Sequence, residues 1–528
     1  MKIKYVCLLL TILAYTKTYS QWVDFDDETD TRIVVTNVSG NTDINAVDDQ
    51  EKDLAIGDFD RDSFMDFVVV RKSPFSSPGP KTDLLFMNRN GVLTDETDIY
   101  APEFLSDVTD SRDVICVDVN NDDWPDLFVI STFEDQPKLF INQGNDINGD
   151  WQGFEDESST RLPTITVNPI QFCAGWGGDL TGNNFNDLYL INYAPSGNAK
   201  DVLLINDGTG NFTDETITRL GDLRNSSFGT GVEFHDVDND SDLDIIKNLG
   251  LNNIAPFNTK GTIILFNNGD ATFTNWQRLP GPNPYMFTAG DLDNNGMLDF
   301  YLVDDGPDYV NKITSVTIDQ NVNSTLYDMP TNRTDGFGGN VKMVDLDNDG
   351  DLDLGLSSVD TDLPPCETGE LRRFIIFEND GLYSGNLIHP YGATMSPWNI
   401  STFDHDYIDI NSDGLLDMIL GTCDGYKIFI QDNPALSIEN TNLDLIASVN
   451  PNPSNGLLTV SLNESIRSDF SINLYSINGK QLLTIDETNS IKSSNDIKID
   501  IRNQVSSGMY FLKIKSDRGI ATKKIIIN

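Results

Sequence analysis

The stretch DLDNDGDLD, Asp345 to Asp353, places carboxylates at its first, third, fifth and ninth positions. Oxygen ligands that alternate along a tight turn suit a hard divalent cation, calcium above all. A helical calcium loop of the EF-hand kind needs a glutamate at its twelfth position and a helix on each side. Here the twelfth residue is Leu356, and the flanks NVKMV and LDLGL are short apolar runs of period-two character without capping residues. The flanks read as strands, so the stretch is expected to be a cation loop joining two strands.

The same pattern recurs as DFDRDSFMD from Asp58, DVNNDDWPD from Asp118, DLTGNNFND from Asp179, DVDNDSDLD from Asp236, DLDNNGMLD from Asp291 and DINSDGLLD from Asp409. The expected ligands are Asp58, Asp60, Asp62 and Asp66; Asp118, Asn120, Asp122 and Asp126; Asp179, Asn183 and Asp187; and Asp236, Asp238, Asp240 and Asp244. They continue with Asp291, Asp293, Asn295 and Asp299; Asp345, Asp347, Asp349 and Asp353; and Asp409, Asn411, Asp413 and Asp417. Successive first aspartates lie 54 to 64 residues apart, room for about four strands with their turns. A second element keeps pace: LLFMNRNGVLTDET from Leu84, KLFINQG from Lys138 with FEDES from Phe154, VLLINDGTGNFTDET from Val202 and IILFNNGDATFTNW from Ile263. Each reads as a hairpin with Asn/Gly turn chemistry. Strand, acidic loop, strand and hairpin, repeated seven times, predict an all-β, seven-bladed β-propeller, in which radial repetition hides most sheet edges.

The chain has 528 residues and a formal net charge of −48. From residue 433 onward there are nine acidic and ten basic residues, and the first twenty carry three lysines, so residues 21–432 hold about −52. That field excludes a nucleic-acid partner, which needs clustered Lys and Arg to neutralise phosphates. It also repels itself in a compact fold unless cations bind. Random acidity would not fall in register at the same loop places. The opening MKIKYVCLLLTILAYTKTYS, with Lys2 and Lys4 before an apolar run from Tyr5 to Tyr15, reads as a signal peptide cleaved before Gln21, the run being too short to span a bilayer.

The repeats resemble the FG-GAP and VCBS family of propellers, known from integrin α-subunits and secreted bacterial proteins. The resemblance rests on DGFGGNVKMVDLDNDGDLDLGL and SSFGTGVEFHDVDNDSDLDII, where Phe337-Gly338 and Phe228-Gly229 precede the loop, and it extends over residues 21–432. It implies calcium with a structural role, up to seven ions. The first, fourth and sixth loops keep aspartate at all four places. The third keeps only Asp179 and Asp187 and is expected to be the weakest.

After Gln431 the chain changes character. DNPALSIENTNLDL reads as a linker, 433–446, followed by SVNPNPSNGLLTVSL, FSINLYSINGKQLL and a basic last strand. The alternation and the Asn455-Gly456 and Asn478-Gly479 pairs predict a small β-sandwich over 447–528. With its PNPS, LYSINGK and SGMYFLKI signatures this segment resembles the C-terminal sorting domain of the type IX secretion system. That resemblance implies the secretion machinery as a partner, and a destination outside the cell or on the outer-membrane surface.

Cys116 and Cys173 sit in apolar strand contexts and are expected to be buried free thiols, whereas Cys366 and Cys423 follow the second strands of adjacent repeats and could form a disulfide. His235, His389 and His405 are scattered, with no spacing that suits zinc or a histidine-dependent nucleophile. The expected function is a calcium-stabilised surface module that binds an extracellular protein or glycan. The alternative is a polysaccharide lyase or hydrolase using the face opposite the acidic loops, on a constellation of Arg, Lys, Tyr or carboxylates. Lastly, the seventh repeat offers only three strands, while FDDET at Phe25–Thr29 matches LTDET, FTDET and FEDES, the fourth strands of other repeats. The N-terminus is therefore expected to pair beside Tyr426–Ile430 and complete the seventh sheet.

Overall fold

The computed structural model describes residues 23–37, 50–73, 79–195, 199–281, 284–303, 308–317, 319–328, 339–357, 374–379, 400–422, 425–432, 446–452, 454–462, 470–476, 481–485, 490–492, 496–502, 504–505, 508–516 and 519–527. The signal segment, Cys366, Cys423, His389, Phe337-Gly338 and the body of the linker lie outside them. The chain divides into two compact units, Met1–Asn433 and Pro434–Asn528.

Strand is the main regular structure of the first unit, and its described residues form seven small sheets, one for each acidic loop. Their first strands are Glu51–Gly57, Ser111–Val117, Phe172–Gly178, Val232–His235, Met286–Gly290, Val341–Val344 and Thr402–Ile408. Each second strand begins on the ninth loop residue and runs back antiparallel. Second strands such as Asp126–Ser131 and Asp187–Asn192 are buried along their whole length, the mark of a strand covered on both faces. In the sixth sheet three strands are described, ending with Ile375–Phe377.

Apolar residues form one core cluster between each pair of neighbours. Val68, Val70 and Phe59 of the first repeat pack on Val114, Leu127 and Val129 of the second. Phe128 and Ile130 of the second pack on Leu188 and Leu190 of the third. The series runs on through the fourth, fifth, sixth and seventh sheets and returns to the start, where Ile408, Ile419 and Ile428 meet Leu54, Phe67 and Phe86.

The N-terminal strand adds to the seventh sheet as expected, with bounds shifted from Phe25–Thr29 beside Tyr426–Ile430 to Asp24–Asp27 beside Phe429–Asp432. Asp24–Asp27 pairs antiparallel with the seventh sheet, Asp24 opposite Asp432 and Asp27 opposite Phe429. Glu28 then donates its N–H to the Ile428 carbonyl at 3.1 Å. Beyond a single helical turn at Thr29–Arg32, Ile33–Val34 pairs in parallel with Leu93–Thr94 and adds a fifth strand to the first sheet. The sequence reading missed this second pairing.

It also missed the turns themselves. One-turn helices at Thr29–Arg32, Thr97–Tyr100, Ser158–Arg161 and Thr216–Leu220 follow the fourth strands. A strand-ending aspartate sets each one: Asp27, Asp95, Asp156 and Asp214 accept the N–H of the Thr or Ser two residues on. That hydroxyl in turn accepts a third-strand N–H, Leu85 to Thr97 at 2.9 Å and Leu203 to Thr216 at 2.8 Å. Such local side-chain bonds build a turn without helical periodicity, so a search for periodic helices passes over it. Three of the turns carry an arginine that reaches the next sheet: Arg32 donates to the Gly91 carbonyl at 2.9 Å, Arg161 to Thr209 at 2.7 Å, and Arg219 to Asp270.

In the second unit, one sheet contains Ile446–Asn450, Leu457–Leu462, Asp496–Asp500 and Ser490–Lys492. The other contains Gln481–Ile485, Phe470–Ser476, Gly508–Ser516 and Gly519–Ile527. Leu458, Val460, Ile497 and Ile499 of one share a core with Ile472, Leu474, Leu512 and Ile525 of the other.

Val23 and Phe25 are buried at the sixth–seventh boundary and Ile33 and Val35 at the seventh–first. Burial of each large apolar side chain contributes about 1.5 to 3 kcal/mol. Removing residues 21–34 should therefore lower the melting midpoint of the whole first unit by several degrees in calorimetry; an unchanged melt would show that the pairing contributes nothing.

Candidate functional site

The acidic loops share one construction. The first-place carboxylate accepts backbone N–H groups across the turn: Asp236 from Asp240 and Ser241 at 3.0 and 2.9 Å, and Asp345 from Asp349 and Gly350 at 3.0 Å each. The fifth-place side chain accepts from the seventh residue, as in Asp122 from Trp124 and Asn183 from Phe185. These bonds require left-handed backbone at places four and six, seen as φ near +60° at Asn239 and Asn348 and +98° at Gly350. Asparagine and glycine dominate there because they reach that region most easily. The fourth-place side chain reaches the sixth-place carbonyl of the next loop: Asn121 to Asn184, Asn294 to Gly350, Asn348 to Gly414, and Arg61 to Asp123.

Carboxylate oxygens come within ligand distance of one another in four loops, at Asp58, Asp60 and Asp62; Asp236, Asp238 and Asp240; Asp291, Asp293 and Asp299; and Asp345, Asp347 and Asp353. Three of these loops hold a buried carboxylate oxygen without a hydrogen-bond partner, Oδ1 of Asp58, Asp238 and Asp293. Leaving such an atom unpaired is costly, and a bound cation would satisfy it. The residues therefore fit a hard divalent ion. In the third loop Thr181 stands at place three and donates to Asp179 at 3.4 Å. In the second and seventh loops the places are held by Asp118, Asn120 and Asp122 and by Asp409, Asn411 and Asp413. Two loops meet a cation of the chain's own: Arg89 donates to Asp60 at 2.6 Å and Lys312 to Asp293 at 2.8 Å.

The ninth-place aspartates behave differently from the other places. Asp66, Asp126, Asp187, Asp244, Asp299, Asp353 and Asp417 are all buried. In every loop Oδ2 accepts the N–H of the second loop residue, from Phe59, Val119, Leu180, Val237, Leu292, Leu346 and Ile410. In six loops Oδ1 accepts the N–H that ends the third strand, from Asn88, Asn142, Asn206, Asn267, Asn379 and Gln431. The same Asn or Gln donates its amide to the second-place carbonyl of the preceding sheet, as Asn142 does to Phe59 at 2.9 Å and Asn206 to Val119 at 2.7 Å. Burial pushes Asp66, Asp244 and Asp353 up to about 8 and Asp126, Asp299 and Asp417 to about 7.

A second constellation was not legible as a motif. The seven first strands surround one cavity of about 480 Å³. The residue five places before each loop gives, sheet by sheet, Asp53, Asp113, Ala174, Gly231, Met286, Asn340 and Asp404, three aspartates and an asparagine on one side and small or apolar residues on the other. All seven line the cavity. Asp404 accepts the Leu54 N–H at 2.9 Å, Asp113 the Gly175 N–H at 2.8 Å, and Asp53 the Asn340 amide at 2.9 Å. Burial, then the charges of Asp404 and Asp113, raise Asp53 well above the usual carboxylate range. Burial lifts Asp113 to about 6, against hydrogen bonds from Gly175 and Asp53. Lys342 donates to Asp406 at 2.8 Å and lies 3.7 Å from Asp404. Arg112 and Lys72 both pair with Glu51.

Cys116 and Cys173 are free, and burial pushes the Cys116 thiol up to about 12. His405 is buried against Phe374, and His235 meets Glu233 at 2.8 Å.

Residues 448–528 match the secretion system C-terminal sorting domain family. No curated protein matches the chain in sequence. Among solved structures, a fructofuranosidase from Schwanniomyces occidentalis complexed with fructose aligns with 91% of this chain and 89% of its own at 9% identity and a TM-score of 0.29. The β-fructofuranosidase of the same organism with fructosyl-erythritol gives 92% and 90%, 9% identity and 0.28. TcdA4 of Morganella morganii gives 91% and 22%, 11% identity and 0.17. Scores this low carry no argument about fold or function. Among the described residues, no helix is long and apolar enough to cross a membrane.

Asp244 holds two backbone N–H groups whose loss leaves buried donors unpaired, whereas Asp238 keeps one oxygen unsatisfied. In chelator, Asp244→Ala should cost about 2 to 4 kcal/mol in denaturant unfolding, and Asp238→Asn no more than about 0.5 kcal/mol. Equal costs would show that the ninth place has no separate role.

Proposed function

We propose that the first unit is a seven-bladed β-propeller of the FG-GAP/VCBS kind, stabilised by calcium in its acidic loops and serving outside the cell as a binding or adhesion module. The sorting domain at residues 448–528 supports export by type IX secretion. The reading rests most on the orphaned oxygens of Asp58, Asp238 and Asp293, set in loops that repeat the same places. A charge near −52 in residues 21–432 adds a general demand for cations.

The enzymatic alternative is less well supported. Glycoside cleavage uses two free carboxyl groups about 5 to 9.5 Å apart, whereas the cavity aspartates are held by the protein, Asp53 by Asn340, Asp113 by Gly175 and Asp404 by Leu54 and Lys342.

Two measurements test this reading. Thermal melts of the mature chain should rise on adding calcium and fall in chelator, with about 2.7 kcal/mol per site when free ion is a hundred times its dissociation constant; coincident midpoints would refute the calcium role. Deleting residues 447–528 should leave the protein in the periplasm of its host, detected by fractionation, and normal surface display of the truncated chain would refute the sorting role.

A further inference from the structure

We propose that the cavity enclosed by the seven first strands binds a small organic cation, a primary ammonium compound, at the arc formed by Asp113, Asp53 and Asp404. These three aspartates come from the second, first and seventh sheets at one level, five residues before each loop. Asp404 is fully buried and its Oδ1 has no hydrogen-bond partner. A buried carboxylate oxygen without a partner, on a residue that lines the cavity, calls for a donor. The positive groups of the lining already have partners: Arg112 pairs with Glu51, Lys342 lies between Asp406 and Asp404, and Lys52 donates to the Gln50 and Thr422 carbonyls. Asp113 accepts the N–H groups of Gly175 and Val114 and takes part in no ion pair among the described residues. An anionic ligand would meet three carboxylates here, whereas an ammonium group would meet their acceptor oxygens, with Lys342 on the far side of Asp404 as the one cation beside the arc among the described residues.

A metal ion fits this arc less well. Among the described residues, the groups of three carboxylates whose oxygens approach one another at ligand distance all belong to the acidic loops. The arc leaves its oxygens spread over three strands, a spacing suited to the three N–H bonds of an ammonium. Across the cavity, Ala174, Gly231 and Met286 stand at the same level, and Trp176 beside them is part-exposed. That side receives a carbon skeleton, and the indole face attracts a cation. About 480 Å³ admits a ligand of sugar or alkylamine size.

The inference rests on reading the first unit as a binding module, and it is tested with the loops saturated, so that its failure is separable from failure of the calcium reading. The mature full-length chain in excess calcium chloride is titrated calorimetrically with n-butylamine, glucosamine and glucose. Both ammonium compounds should bind one to one, and glucose should give no heat. Asp404→Asn should weaken n-butylamine by about tenfold or more, the loss of a charge-assisted hydrogen bond, without changing the calcium-dependent melt. Should that variant fail to fold, Trp176→Ala on the open side should weaken n-butylamine and abolish the accompanying change in tryptophan fluorescence. No heat from either amine, equal binding of glucose, displacement of the amine by added calcium, or indifference to both substitutions would overturn the proposal.

Discussion

The first unit depends on one buried carboxylate per sheet, the aspartate that closes each acidic turn. Moving it out of water is costly unless it is hydrogen-bonded, and both of its oxygens are occupied in six of the seven copies. One holds the turn and the other holds the end of the third strand. The asparagine on that strand then reaches back to the preceding sheet. Loop, strand register and sheet-to-sheet spacing are thus settled by a single aspartate–asparagine pair with charge-assisted bonds. The fifth sheet is the exception that shows what the pair does. There Ile313 replaces the asparagine, and Oδ1 of Asp299 is left without a partner.

The parts of this arrangement that were readable in sequence are those governed by local chemistry. Places four and six of each loop demand left-handed backbone, so Asn and Gly mark them in the chain itself. The FDDET match located the N-terminal strand because the same turn follows four fourth strands. By position the ninth aspartate reads as one more ligand, and at Asp299 and Asp353 it stands among carboxylates that could hold an ion. Its burial and its two backbone partners depend on the third strand, which arrives 14 to 26 residues later. The axial arc was invisible for a related reason. Asp53, Asp113 and Asp404 become neighbours only when strands up to 350 residues apart are brought around one cavity. Counting back five places from each loop would have found them, but nothing in a single strand distinguishes such an aspartate from solvated surface.

Charge and architecture are coupled. Among the described residues, four pairs of neighbouring loops are joined from fourth to sixth place, so carboxylates that repel one another are held side by side. Arg89 and Lys312 relieve part of that repulsion from within, at Asp60 and Asp293. The remaining loops have no such internal counter-charge among the described residues. At the cavity, Lys342 lies near Asp404 and bonded to Asp406, and Asp53 and Asp113 have no ion pair among the described residues.

The amide of Ile428 is bonded to the hydroxyl of Thr29, 399 residues earlier. Closing a flexible loop of that length costs about 5 kcal/mol in chain entropy by the logarithmic estimate, and nothing repays it until the last sheet exists. The first strand to be synthesised must therefore wait, unpaired, for the last. A chain that stops short in its seventh repeat leaves two unfinished edges, one at each end of the series, and both are open to pairing with other chains. Completion is all-or-none in a literal sense: the fold measures its own length before it closes.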